Sequence, residues 1–140
     1  MEQQVSHLDD GALHIMNVQD YQNLELSLRL QASHNFFNSS NPKYKGKLPV
    51  ILIKHPQSKM KQLERFRIVM KKDTQLLELM NTIRKDLGAG MPDHAIYMFT
   101  HSTRELLRAQ STFNELYLKY KSEDGFLYLS YAEQESFGAA

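Results

Sequence analysis

Between residues 48 and 87 the chain carries two short apolar runs followed by an amphipathic stretch. This order of strand, strand, helix restricts the fold more than any other feature. Residues 48–54 are rich in branched side chains, with Pro49 at the start, where a missing amide is tolerable. A second strand is expected over about residues 66–70, after a loop with Pro56 and several lysines. The two strands are close enough to pair as a hairpin, although so long a loop does not fix the register. Asp73 or Thr74 can then cap a helix in which Leu76, Leu79 or Met80, Ile83 and Leu87 recur at steps of three and four. The helix ends on Arg84 and Lys85 and is stopped by Gly88 and Gly90.

Three further elements follow: a strand over residues 95–100, a short helix over residues 112–120 started by Ser111 or Thr112, and a last strand over residues 126–131 after a turn at 123–125. A sheet covered by one crossing helix is the simplest way for this order to bury its apolar faces in so short a chain. The expected class is therefore α+β, a β-grasp (ubiquitin-like) fold. A ferredoxin-like split would need a strand before a first full-length helix, and the N-terminal residues supply none.

Before this domain, Tyr21, Leu24, Leu28 and Gln31 fall at helical spacing, interrupted by Leu26 and Leu30. A helix is expected over residues 19–33, with a further turn at Phe36 and Phe37, and residues 35–42 are full of turn formers. Residues 1–18 are expected to be mobile. A chain of 140 residues suits one compact domain and a tail. The expected division is an N-terminal extension over 1–42, partly mobile and partly helical, a ubiquitin-like domain over 43–132 and a C-terminal tail over 133–140.

The formal net charge of +1 conceals three unlike sections. Residues 1–42 carry five acidic side chains and one basic, a net of −4; residues 43–87 carry twelve basic and four acidic, a net of +8; residues 88–140 carry four basic and seven acidic, a net of −3. A basic middle suits an anionic partner or a solvated face. It lacks the arginine-rich helix or interleaved aromatics that would point to nucleic acid.

Enzymatic readings find little support. There is no cysteine, hence no disulfide, thiolate metal site or thiol nucleophile. Six histidines, at 7, 14, 34, 55, 94 and 101, show no paired ligand spacing, and no phosphate-binding glycine loop or nucleophile elbow occurs. No metal or cofactor is expected. Without a basic patch leading into an apolar run, or eighteen consecutive apolar residues, the chain is expected to be made as a soluble cytosolic protein.

Several short motifs occur in a specific order: Lys47-Leu48-Pro49-Val50-Ile51, then Lys54 and Ser58; Ile83-Arg84-Lys85; Tyr117; Asp124-Gly125-Phe126-Leu127-Tyr128; Tyr131; and Phe137-Gly138. From Tyr44 onward, about two thirds of the chain, this pattern resembles the autophagy ubiquitin-like modifiers. That family includes the yeast lipid-conjugated autophagy modifier, the GABA-receptor-associated proteins and the microtubule-associated light chains. The chain departs from the family in its longer, net acidic start, its Asn/Ser-rich approach at 38–41, and longer loops near Gly90 and over residues 104–110.

The resemblance implies a modifier that is not an enzyme. A processing cysteine protease that recognises Phe137 would remove Ala139 and Ala140. Activating and conjugating enzymes would then join Gly138 to phosphatidylethanolamine, moving the protein from the cytoplasm to the autophagosome membrane. The resemblance also implies receptors with an aromatic-x-x-aliphatic motif, whose segment adds as a strand beside residues 66–70. Pro49, Ile51, Arg67, Val69 and Phe126 would form the aromatic pocket, and Ile68, Met70, Leu79 and Thr82 the aliphatic one. Strand alternation prevents residues 67–70 from all facing one core. Outward Ile68 and Met70 would then give an exposed apolar patch. The alternatives are a protein-conjugated autophagy modifier, which usually ends at its glycine with tryptophan before it, and an unconjugated ubiquitin-like protein-binding domain.

Overall fold

A computed structural model describes residues 5–7, 17–63, 65–87 and 95–133. In chain order its elements are β1 (Val5–His7), α1 (Val18–Gln22), α2 (Leu26–Phe37), β2 (Lys47–Lys54), β3 (Arg67–Lys71), α3 (Leu76–Leu87), β4 (Ile96–Thr100), α4 (Phe113–Tyr120) and β5 (Leu127–Glu133). They form one mixed sheet in the order β1-β3-β2-β5-β4. β2 and β3 make the antiparallel hairpin, with Pro49 opposite Val69 and Ile51 opposite Arg67. At the centre β2 runs parallel to β5, from Val50 opposite Leu127 to Lys54 opposite Tyr131. β4 closes the sheet antiparallel to β5. Parallel central strands β2 and β5, each with an antiparallel neighbour outside it and with α3 packed across the sheet, make the expected β-grasp, preceded by two helices.

Each strand sends alternate side chains to opposite faces, and both faces are covered. Leu48, Val50 and Leu52 of β2, Ile68 and Met70 of β3, and Leu127, Leu129 and Tyr131 of β5 pack with Leu76, Leu79 and Ile83 of α3 and Phe113 and Leu116 of α4. The spacing 76, 79, 83 is one apolar stripe of a helix, as expected. On the other face Ile51, Ile53, Val69, Phe66 and Phe126 pack with Tyr21 of α1, Ala32 and Phe36 of α2, and Tyr44. The exposed apolar patch expected from Ile68 and Met70 is not there: they are 1% and 0% exposed in the core under α3 and α4, and residues 67–70 are all buried. Alternation holds, but neither direction leads to solvent: α3 and α4 cover Ile68 and Met70, and the N-terminal helices cover the face of Val69.

The expected single helix over 19–33 is in fact two. Asn17 caps α1 by accepting the Asp20 amide at 2.8 Å, and α1 stops at Asn23, whose amide donates to the carbonyls of Gln19 and Tyr21. The break resets the helical phase. Tyr21 is fully buried, whereas Leu28 of α2 is 50% exposed and α2 turns Ala32, Ser33 and Phe36 inward. Within residues 1–18, expected to be mobile, Val5–His7 forms β1 on the outer edge of β3, and Val18 opens α1.

The other boundaries lie close to the expected ones. α4 begins at a capping box in which the Thr112 hydroxyl accepts the Glu115 amide at 3.2 Å and Glu115 receives the Thr112 amide at 3.4 Å. The first amides of α3, at Leu76 and Leu77, donate to the carbonyls of Ser111 and Ala109 at 2.8 and 2.9 Å, so the chain leading into α4 satisfies donors that a helix start leaves open. β5 runs on to Glu133, whose buried carboxylate accepts the Ser58 hydroxyl at 3.1 Å and the Lys59 amide at 3.2 Å.

Candidate functional site

The outer edge of β3 separates the two groups of expected pocket residues. Pro49 and Ile51 on β2, Arg67 and Val69 on β3, and Phe126 just before β5 are all buried and share the face under the N-terminal helices. Tyr21 stands among them, edge-on to Phe66 with ring centres 5.7 Å apart and to Phe126 at 6.1 Å. The Arg67 guanidinium carbon lies 5.4 Å from the Tyr21 ring centre and 5.5 Å from that of Phe66, within range of a cation–π attraction. Ile68, Met70 and Leu79 lie together on the opposite face, in the core under α3. Thr82, one turn beyond Leu79 on α3, is half-buried and donates its hydroxyl to the Glu78 carbonyl at 3.0 Å.

This division has a chemical meaning. In an extended segment, residues i and i+3 point to opposite faces, since side chains alternate with a period of two. A strand added along β3 would therefore send an aromatic at one position and an aliphatic three residues later to opposite sides of the sheet, one toward each group. Main-chain hydrogen bonds to β3 would supply affinity, and the two faces would supply selectivity.

The turn that leads into β5 ties this surface to the N-terminal helices. Asp124 is fully buried. Its Oδ1 accepts the Phe126 amide at 3.0 Å, and its Oδ2 accepts Nη1 of Arg29 at 3.0 Å and the Tyr128 hydroxyl. Burial, and then the neighbouring Asp124 carboxylate, push the Tyr128 hydroxyl well above the usual tyrosine range and keep it protonated as a donor. Gly125 has φ +90°, and an added Cβ there would meet Oγ of Ser33 at 2.3 Å. Tyr117 of α4 donates to the Gly125 carbonyl at 2.7 Å. The Asp-Gly-Phe segment is thus where α2, α4 and β5 meet, which fixes the position of Phe126.

The sequence alone does not bring Tyr21 or Arg29 to the site. Tyr21 was legible only as one member of a helical stripe, and nothing local pairs Arg29 with a carboxylate 95 residues away. Phe137 and Gly138 lie outside the described residues. Among the described residues no group of three or more His, Asp or Glu side chains could hold a metal ion, and no helix is long and apolar enough to cross a membrane.

The family model described as "Autophagy protein Atg8 ubiquitin like" matches residues 33–138, about three quarters of the chain. The chain belongs to the Atg8 family. It is an autophagy-related ubiquitin-like modifier and not an enzyme. Among its Atg8-family relatives, the Dictyostelium discoideum protein "Autophagy-related protein 8" is 30% identical over 97 residues, covering 69% of this chain and 78% of that one. "Autophagy-related protein 8h" of Arabidopsis thaliana is 29% identical over 110 residues, covering 79% and 87%. The human "Microtubule-associated protein 1 light chain 3 gamma" is 28% identical over 97 residues, covering 69% and 65%. The crystal structure of the Trypanosoma brucei ATG8 superimposes with a TM-score of 0.71 at 21% identity, covering 85% of this chain and 97% of that one, and so bears out the fold.

Proposed function

We propose that this Atg8-family chain is joined through Gly138 to phosphatidylethanolamine on autophagosomal membranes, and that it recruits receptors there. The observation that carries this reading is that the family match extends to Gly138 and includes Phe137. A cysteine protease that recognises Phe137 hydrolyses the Gly138–Ala139 amide. The freed carboxylate is adenylated by an ATP-dependent activating enzyme and transferred to enzyme thiols as a thioester. The lipid amine then displaces the last thiol, forming an amide. Glycine suits both acyl transfers, because the absent Cβ leaves its backbone free to lie extended and removes bulk beside the reacting carbonyl. Two acyl chains hold the modifier firmly, at about 0.8 kcal/mol per buried methylene. The protein is cytoplasmic before this step and membrane-bound after it.

Receptors with an aromatic-x-x-aliphatic segment dock along the outer edge of β3. The aromatic side chain is directed to the side of Pro49, Ile51, Arg67, Val69 and Phe126, and the aliphatic one to the side of Ile68, Met70, Leu79 and Thr82. The basic section over residues 43–87 favours acidic flanks on such a segment.

Intact mass before and after incubation with an extract of the source cell, ATP and phosphatidylethanolamine vesicles tests the linkage. Loss of two alanines and then a phospholipid-sized gain is expected, and Gly138→Ala should abolish both changes. A protein-sized gain would favour the protein-conjugated alternative. An unaltered chain, in an extract that conjugates a control modifier, would favour the unconjugated binding domain.

A further inference from the structure

The edge of β3 on which a receptor strand would dock already carries a strand of the same chain. β1 pairs with it antiparallel, with Val5 opposite Met70, Ser6 opposite Val69 and His7 opposite Ile68. The three covered positions are β3 residues from the two pocket groups, and a sheet edge offers one row of main-chain donors and acceptors, so a receptor strand and β1 cannot both use it.

Two features make β1 displaceable. It is three residues long and lies at the margin of the sheet, bonded on one side only among the described residues. Such short marginal elements open locally at far lower cost than the core strands. Its charge context also imitates a receptor segment. β1 comes from the section with a net charge of −4 and rests on a strand from the section with a net charge of +8, the complementarity inferred for acidic receptor peptides.

We propose that β1 is an internal competitor for receptor peptides, so that docking on β3 requires its release. This rests on the peptide-docking reading of the β3 edge. The protein then exists in a self-paired and a receptor-paired form, and receptor affinity is scaled down by the fraction in which the edge is open. By the same linkage, a bound receptor frees residues 5–7.

The test uses the full-length chain and a full-length variant carrying Val5→Pro, Ser6→Pro and His7→Pro together. Proline has no amide hydrogen, so the variant segment has nothing to donate to β3 in either parity of the ladder. Binding of a fluorescent acidic peptide with a Trp-x-x-Leu core is followed by anisotropy. The variant should bind about tenfold more tightly, the factor expected where about one tenth of the wild type is open. Measurable binding with equal dissociation constants would overturn the internal competitor and leave the docking site standing. Binding to neither chain would overturn both. A second measurement needs no variant: hydrogen exchange, in the wild type, of the β1 amides that donate to β3, alternate ones in an antiparallel pair. Their protection should be lost when the peptide saturates the protein, and retained protection in the saturated complex would overturn the proposal.

Discussion

Arg29 on α2 meets Asp124 ahead of β5 with Nη1 and Oδ2 3.0 Å apart, joining residues 95 positions apart in the chain. The carboxylate is fully buried, whereas the Arg29 side chain is 21% exposed. The partners are therefore not equivalent. Asp124→Ala strips Arg29, Tyr128 and the Phe126 amide of an acceptor at once, and each donor left buried without a partner should cost about 1 to 3 kcal/mol. Arg29→Ala leaves Asp124 two of its donors but takes the cation from a fully buried carboxylate, for which a cost of about 3 to 5 kcal/mol is expected. Urea unfolding of both single variants and the double variant measures the coupling, and strict additivity would show that the pair does not tie α2 to the domain.

Gly125→Ala should be destabilising for two separable reasons. The φ of +90° is unfavourable for any side chain, and the new Cβ would stand 2.3 Å from Oγ of Ser33. A loss of about 1 to 3 kcal/mol is expected from the backbone alone, with a further loss from the clash. Adding Ser33→Ala should recover part of that second loss in thermal unfolding. No recovery would mean that α2 is not packed against this turn.

Tyr131 fastens the loop between β2 and β3, its hydroxyl donating to the Lys61 carbonyl at 2.7 Å and accepting the Leu63 amide at 2.9 Å. Tyr131→Phe keeps the ring in the core but leaves both backbone groups without this partner, at an expected cost of about 1 to 3 kcal/mol. Faster hydrogen exchange at the Leu63 amide, with the β5 amides still protected, would be the local sign.

The pH dependence of stability should contain a histidine contribution of definite sign. Burial lowers the pKa of His101 from 6.5, and the nearby Arg104 and His55 lower it further. Its ring Nδ1 is hydrogen-bonded to Oγ of Ser130 at 2.9 Å. The folded chain therefore takes up this proton less readily than the unfolded one. The stabilisation is complete above the unfolded pKa of 6.5 and is lost as pH falls through the lower folded value. His101→Gln should flatten unfolding free energy against pH below about 6.5, and an unchanged slope would remove His101 as its source.

The main domain was legible because its signals are local. Leu76, Leu79 and Ile83 mark a helix face, Ser111 or Thr112 marks a helix start, and the apolar run from Leu48 marks a strand. Burial on the second sheet face was not legible, since it depends on how α1 and α2 fold back, and the break at Asn23 shifts the phase on which a stripe from Tyr21 to Leu28 relied. Ile68 was expected to lie outward; as a core residue its truncation to alanine should cost about 2 to 5 kcal/mol, so binding by that variant must be read beside its stability. β1 had no side-chain pattern to reveal it, because a three-residue strand is specified by the backbone edge it joins. Asp124-Gly125-Phe126 was legible as a motif, but its partners Arg29 and Ser33 belong to distant sequence.

The position of β5 determines how the fold bears a mechanical load. Chain leaving Glu133 continues from a strand held on both sides, parallel to β2 and antiparallel to β4. Tension applied from that end runs along β5 and must shear two ladders together, whereas tension on β1 can peel one short ladder from the sheet margin. The two ends of the molecule therefore differ in compliance: a pull from the C-terminal side meets the stiff centre of the sheet, and a pull from the N-terminal side yields first at the β3 edge.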